Sequence, residues 1–314
     1  MAILAGDFLL ARASIALARL RNLEVVELLS TVISNLVEGE FMQLRNSAKA
    51  SDPSAGLTKT AAQESLETPL PASLAPSFKE YPLFSSDVAT SRFEYYLTKT
   101  YMKTASLIAN SCRAAAVLGG RDDVVADAVY RYGRALGMAF QVVDDMLDFT
   151  VTADEMGKPV NADIKLGIAT APVLYAAEEF PELDLAIERG FKNEGDAALA
   201  LKLVHASSGI ARTRELAAAF CAEAVDAISV LPDSDAKRNQ LHNLGNNLTY
   251  HSPSRDFAME LGASLSDITA SQCIVGATIG VGLMNGTLKA INWKMVSWTL
   301  FSWILTLPIA GVTA

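Results

Sequence analysis

The sequence has few of the residues that build disulfide scaffolds or histidine-rich metal sites. It contains 3 cysteines, far apart and without a C-x-x-C pair, and 3 histidines among 314 residues. This pattern excludes a disulfide framework and a zinc ribbon, and it favours a reducing compartment. Basic residues are outnumbered, and the net charge of −9 argues against a basic surface for nucleic acid, so we expect no nucleic-acid partner.

Charged residues are scarce as well, at 19% of the chain, against roughly 25% in typical soluble domains. The deficit is concentrated near the C-terminus, where the stretches 268–288 and 295–314 carry no charge. Each stretch has about 20 residues, which is enough for a helix to cross a bilayer. We therefore predict an apolar helical pair there, with membrane association through residues 268–314. A buried apolar helical hairpin, or a glycine-rich segment with no partner, is the alternative.

The rest of the chain lacks alternating β-type runs and shows apolar residues at helical spacing instead. This periodicity extends over residues 1–47, 91–118, 122–150, 167–180, 196–207 and 209–231. Residues 48–86 are rich in Pro, Ser, Thr and Ala and have no sustained period, which predicts a disordered or loose insertion. We expect an all-α fold, with a helical domain formed by residues 1–47 and 87–250. No transit peptide is visible at Met1.

The strongest chemical signal is the sequence GMAFQVVDDMLDFT at residues 137–150. On a helix, Asp144, Asp145 and Asp148 lie close together, and three carboxylates placed this way repel one another. A hard divalent cation with oxygen ligands relieves that repulsion, and Mg²⁺ bound to a substrate's phosphates fits best. A solvated acidic stripe is the alternative, although such stripes seldom occur within so apolar a sequence.

Two further segments carry groups suited to phosphate binding. Lys103 and Thr104 lie on a predicted helix that is otherwise largely apolar, although a lysine there more often extends to the surface. In GKPVNADIKLGIATAP, residues 157–172, Lys158 offers a cation and Asp163 a further carboxylate. An ordinary polar turn is the alternative for this segment. Combined with the acidic face, the two segments predict a diphosphate held between Mg²⁺ and lysine.

Other acidic residues have simpler explanations. Asp7, Glu38 and Glu40 fall within predicted helices, where we expect them to form caps, helix contacts or solvated charges. Asp122 and Asp123 follow two glycines, which indicates a helix N-terminus rather than a second metal site.

Five segments occur in order along the chain: LAGDFLL, VEGEFMQL, YMKTASLIANSCRAAAVLGG, FQVVDDMLD and GKPVNADIKLGIATAP. Together they resemble the trans-isoprenyl diphosphate synthases, in particular the long-chain polyprenyl type that makes the ubiquinone side chain in fungal mitochondria. The resemblance implies an all-α isoprenoid synthase-type bundle that condenses isopentenyl diphosphate with an allylic diphosphate. It implies Mg²⁺ on Asp144, Asp145 and Asp148, and it places Lys103, Thr104, Gln141 and Lys158 against diphosphate or substrate, with Phe140 shaping the site.

The resemblance is incomplete. The family's first aspartate-rich motif and its isopentenyl diphosphate site precede the segment that opens this chain, so we expect an N-terminally truncated synthase. The resemblance also implies a mitochondrial protein that forms a homodimer or a heteromer with a complete synthase. Three hypotheses stay open: an active synthase subunit, a non-catalytic partner, and a chimeric reading frame without a function of its own.

Residues 257–314 resemble a different family, the fungal sodium-coupled phosphate permeases. The similarity covers only the last membrane helices of those proteins. We therefore expect two partial proteins joined near residues 245–256, with residues 256–314 as a permease-like membrane segment.

Overall fold

The computed structural model describes residues 2–49, 87–150 and 162–232, and every regular element within these ranges is helical. The elements are α1 (Ala2–Arg19), α2 (Leu23–Lys49), α3 (Asp87–Thr100), a π-helical segment (Tyr101–Ala105), α4 (Ser106–Leu118), α5 (Asp123–Thr150), α6 (Ala162–Lys165), α7 (Ala171–Glu179), α8 (Glu182–Glu188), α9 (Asp196–Ala206) and α10 (Gly209–Ala227). The predicted all-α fold is confirmed for this part of the chain.

Several predictions fall on residues outside these ranges. They concern Lys158, the apolar pair within residues 256–314, and the proposed insertion 48–86 apart from its first two residues, which end α2. No helix within the described ranges is both long and apolar enough to cross a membrane.

The longest helix, α5, is the centre of the bundle, and more than half of its 28 residues are buried. It packs against α4, α10 and the π-helical segment. Two glycines allow the close approach: a Cβ at Gly133 would lie 2.9 Å from the backbone oxygen of Ile108, and one at Gly137 would lie 2.6 Å from Cα of Ala105. Because backbone atoms occupy the space that a side chain would need, these two positions require glycine at the observed helix separation.

Two apolar clusters hold the helices in place. The first joins α3, the π-helical segment, α5, α7 and α10, with Leu97, Val142 and Phe220 among its buried members. The second joins the C-terminal end of α5 to α6, α7, α8 and α9 through residues such as Phe149 and Leu183. Together they fix α3 and the π-helical segment against α5, and so they position the polar residues described below.

The continuous helix predicted over 91–118 contains the π-helical segment at 101–105. A single π-helical turn keeps helical backbone geometry on both sides, so hydrophobic spacing alone does not reveal it. The segment carries Lys103 and Thr104, and it packs against both α2 and α5. The wider π-helical turn therefore carries two predicted site residues, Lys103 and Thr104.

The helix predicted over 167–180 begins later, at Ala171. Gly167 has φ +80°, a left-handed conformation that ends the short α6, and Pro172 stands in the first turn of α7. The periodicity also missed α8, which has only seven residues. The N-terminus of α5 is as predicted, because the Asp122 carboxylate accepts a hydrogen bond from the Val125 amide at 2.9 Å.

Candidate functional site

A cavity of about 310 Å³ lies between α3, the π-helical segment, α5 and the residues around α6. Polar side chains dominate its lining, which comprises Gln43, Tyr96, Lys99, Thr100, Lys103, Thr104, Gln141, Asp144, Asp145, Asp148, Asp163, Leu166, Ile168 and Thr170. The structure thus brings together Asp163 and six of the seven residues expected to bind metal or diphosphate, namely Lys103, Thr104, Gln141, Asp144, Asp145 and Asp148. The seventh, Lys158, lies outside the described residues. Phe140 packs against the first apolar cluster and is not in the lining.

Asp145 is held by hydrogen bonds to both of its carboxylate oxygens. Its Oδ2 accepts a hydrogen bond from the Tyr96 hydroxyl at 2.6 Å, and its Oδ1 accepts one from the Gln141 amide at 2.9 Å. The same Gln141 nitrogen lies 3.3 Å from Oδ2 of Asp144. Asp148 is buried one turn further along α5. The three carboxylates therefore project from one part of α5 into the cavity.

Burial, and after it the nearby carboxylate of Asp163, raise the pKa of Asp145 to about 7. The hydrogen bonds from Tyr96 and Gln141 and the charge of Lys99 oppose this shift. Burial and Asp145 together hold the pKa of Tyr96 well above its usual range, so its hydroxyl keeps the proton that it donates. The Asp163 carboxylate thus lies close enough to Asp145 to disfavour its charge.

Thr104 connects the π-helical segment to the acidic helix. Its hydroxyl donates a hydrogen bond to the side-chain oxygen Oε1 of Gln141 at 2.9 Å. An amide bound at its oxygen has its nitrogen directed away from that contact, here toward Asp144 and Asp145. A chain of hydrogen bonds therefore runs from Thr104 through Gln141 to the carboxylates.

Lys103 binds α2 across the edge of the cavity. Its ammonium forms an ion pair with Glu40 at 2.8 Å and donates a hydrogen bond to Gln43 at 2.7 Å. A Cβ at Gly39 would lie 2.6 Å from Cγ of Lys103, so glycine leaves room for the lysine stem. Of the roles expected for Glu40, namely a cap, a helix contact or a solvated charge, the structure shows a helix contact.

Sequence reasoning missed several residues of the lining. Tyr96 fits the apolar spacing of its helix, yet its hydroxyl donates a hydrogen bond to Asp145. Thr100 lies one turn after Tyr96, so its helical spacing could have placed it on the same face; the sequence already shows that Lys99 lies one turn before Lys103. Gln43 carried no comparable signal, because its contact with Lys103 depends on how α2 packs.

The lining offers four carboxylates and two lysines. Carboxylate oxygens are ligands that Mg²⁺ accepts, and lysine ammonium groups bind phosphate oxygens. Within the described ranges, no three Asp, Glu, His or Cys side chains converge into a ready-made metal cluster. Such a cluster is not required, since Mg²⁺ commonly uses one or two carboxylates together with waters and substrate phosphates.

Comparison with known proteins shows what this chain resembles. The sequence profile of the Polyprenyl synthetase family matches residues 1–68 and 78–204. A probable mitochondrial hexaprenyl pyrophosphate synthase from Neurospora crassa is 52% identical over 237 residues, which cover 76% of this chain and 46% of that protein. The chain spans about half the length of the curated relatives that it matches. A second profile, of the Phosphate transporter family, matches residues 238–314.

Solved structures share the helical fold. The apo form of an Arabidopsis medium/long-chain length prenyl pyrophosphate synthase is 36% identical with a TM-score of 0.54, covering 88% of this chain and 73% of that one. A polyprenyl synthase from Caulobacter crescentus, complexed with calcium and isoprenyl diphosphate, is 27% identical with a TM-score of 0.58, covering 83% and 65%. The described helices therefore adopt the isoprenyl synthase fold, and the chain belongs to the polyprenyl synthetase family.

Proposed function

We propose that this chain acts in chain-elongating prenyl transfer, condensing isopentenyl diphosphate with an allylic diphosphate to make a long-chain polyprenyl diphosphate for the ubiquinone side chain. Three relatives, each matched over about half of its length, are named as mitochondrial hexaprenyl pyrophosphate synthases. Their names support a long-chain product and a mitochondrial location for this chain. A homodimer, or a heteromer with a complete synthase, is the assembly that we propose.

One observation carries this proposal: the aspartates of α5, the hydrogen-bonded pair Thr104 and Gln141, and the two lysines Lys99 and Lys103 all line one cavity. Carboxylates and ammonium groups in one cavity suit a ligand that needs both a divalent cation and direct positive charge. A diphosphate is such a ligand, because each phosphate group offers several charged oxygens.

The lining residues fit Mg²⁺ as the cofactor, held by Asp144, Asp145 and Asp148. Burial and the Asp163 carboxylate raise the pKa of Asp145, and a bound cation would oppose this shift by favouring the ionised carboxylate. When bound, Mg²⁺ supplies positive charge that stabilises a diphosphate leaving group. We place no second cation site in this chain, because its 314 residues contain one D-D-x-x-D motif.

The chain's own residues have separate parts in this scheme. Tyr96 and Gln141 hold Asp145 in one orientation through hydrogen bonds to its two oxygens. Lys103 and Lys158 would bind the diphosphate of the substrate, and Thr104 keeps the Gln141 amide turned toward the carboxylates. Positive charge placed where the diphosphate leaves lowers the barrier to breaking the allylic carbon–oxygen bond.

A second candidate is a non-catalytic partner that stabilises a complete synthase. The single D-D-x-x-D motif favours it, because ionisation of an allylic diphosphate needs several positive charges around the leaving group. The match of residues 238–314 to the Phosphate transporter family supports a further proposal, that the tail associates with a membrane.

Incubating the purified chain with radiolabelled isopentenyl diphosphate, an allylic primer and Mg²⁺ tests the function. We expect long-chain product, lowered roughly 100-fold by Asp144→Ala. The exposed Asp226→Ala is the matched control and should keep full activity. No product alone, with a changed rate after mixing with a complete synthase, would favour the partner role. No effect in either assay would contradict both candidates.

A further inference from the structure

Lys99 extends from α3 into the cavity that holds the acidic face of α5. The residue is only 9% exposed, and its ammonium lies 5.8 Å from the centre of the Tyr96 ring. Within the described ranges, this ammonium has no hydrogen bond or ion pair, and Asp145 and Asp163 act on it through longer-range fields. An ammonium that lines the cavity and has no oxygen partner among the described residues can pair with an anion that enters the cavity.

The other lysine of the lining, Lys103, has a different environment. Its ammonium already pairs with Glu40 and Gln43 on α2. An anion that binds Lys103 must compete with these partners, whereas an anion that binds Lys99 meets no such competition among the described residues. Lys99 is therefore the better placed of the two to gain a new anionic partner.

We propose that Lys99 is a further diphosphate-binding residue of this site, an inference that rests on the proposed function. Without ligand, burial lowers the pKa of Lys99, and the charges of Asp145 and Asp163 oppose this shift. When those carboxylates coordinate a cation, their attraction for Lys99 weakens. The oxygens of a diphosphate then replace the carboxylates as its counter-charge, so lysine and carboxylates bind the ligand from two sides.

Calorimetric titration of the full chain with inorganic pyrophosphate in Mg²⁺ tests the role of Lys99. We expect Lys99→Met to weaken binding about 10- to 100-fold, because a charge-assisted contact inside a cavity is lost. Lys202→Met, at an exposed lysine of α9, is the matched control and should bind as the unaltered chain does. Thermal unfolding without ligand gives a second readout. Lys99→Met should unfold at the same temperature or higher, because methionine fills similar space without a buried charge.

The possible outcomes separate this inference from the proposed function. If the unaltered chain binds pyrophosphate in Mg²⁺ and Lys99→Met binds equally well, the role of Lys99 is overturned while the proposed function stands. If the unaltered chain does not bind pyrophosphate, both are overturned. A large fall in the unfolding temperature of Lys99→Met would assign the lysine a structural role and would also overturn the inference.

A rescue variant makes the test sharper. Ile168 lines the same cavity and is partly exposed to it. If Lys99 contributes positive charge to the bound diphosphate, Ile168→Lys in the Lys99→Met background should recover at least part of the lost affinity, by about 3-fold or more. Failure to recover any affinity would contradict a role based on charge.

Discussion

Gln141 connects the two sides of the cavity through a single amide. Its oxygen accepts a hydrogen bond from Thr104, and its nitrogen donates to Asp145. Because an amide bound at both ends cannot rotate without losing a hydrogen bond, Thr104 determines which end meets the carboxylates. The Thr104 hydroxyl on the π-helical segment thus keeps the Gln141 amide nitrogen directed at Asp145.

Replacing Thr104 with valine should disturb this arrangement while keeping the side-chain shape. We expect Thr104→Val to lower kcat/KM for prenyl transfer about 10-fold, since the Gln141 amide loses the contact that orients it. Thr104→Ser retains the hydroxyl and should stay within about 3-fold of the unaltered chain. Equal losses in both variants would show that the hydroxyl is not what matters.

Asp145 predicts a pH dependence of stability. Burial raises its pKa to about 7 in the folded chain, whereas the unfolded value is near 3.9. The folded state therefore holds a proton that the unfolded state has already released, and the free energy of unfolding falls as the pH rises from about 4 to 7. Asp145→Asn cannot ionise, so its free energy of unfolding should not show this fall. Without Mg²⁺ at pH 8 it should be more stable by about 2–4 kcal/mol, and near pH 4 by about zero.

Urea unfolding at a series of pH values checks this, with the exposed Asp226→Asn as the control. A stability gain that does not change with pH would contradict the assigned cause, because only titration of Asp145 makes the difference depend on proton concentration.

At the residue scale, local spacing was sufficient to place the aspartates. The D-D-x-x-D order fixes their common helix face, and the structure puts all three carboxylates on one cavity. Tyr96 could not be found in this way, because it lies 49 positions from Asp145 and their contact depends on the packing of α3 against α5. Because its aromatic ring fits the apolar helical spacing, the sequence pattern gives no sign that its hydroxyl binds a carboxylate.

At the element scale, two glycines in helices have opposite surroundings. A Cβ at Gly137 would meet the backbone of Ala105 at 2.6 Å, whereas one at Gly6 in α1 would meet no atom within 4 Å. We expect Gly137→Ala to lower the free energy of unfolding by about 1–3 kcal/mol through overpacking. Gly6→Ala should raise it by about 0.5–1 kcal/mol through helix propensity. Urea unfolding measures both, and a harmless Gly137→Ala would contradict the described packing.

The elements themselves were largely predictable where apolar spacing is regular. The predicted helices at 122–150, 196–207 and 209–231 differ from α5, α9 and α10 by a few residues at most. The π-helical segment and α8 were not predictable, because one widened turn and a seven-residue helix are too short to alter a periodic pattern.

At the scale of the whole molecule, the buried apolar clusters of the described residues lie between Phe93 and Ala224. We therefore expect deletion of residues 256–314 to leave the unfolding temperature and Mg²⁺-dependent pyrophosphate binding unchanged. The same deletion should abolish association with phospholipid vesicles in a flotation assay, because the uncharged stretches are removed. Vesicle association that survives the deletion would contradict the proposed role of the tail.

The most direct measurement is equilibrium binding of an allylic thiolodiphosphate, a substrate analogue that resists ionisation, to the full chain with and without Mg²⁺. This measurement reports on ligand binding at the acidic face of α5 even if another polypeptide must complete the metal site for catalysis. We expect saturable binding that requires Mg²⁺ and weakens about 10-fold or more in Asp148→Asn. Binding that is equally tight without Mg²⁺, or unchanged in Asp148→Asn, would show that these aspartates do not bind the metal with the diphosphate.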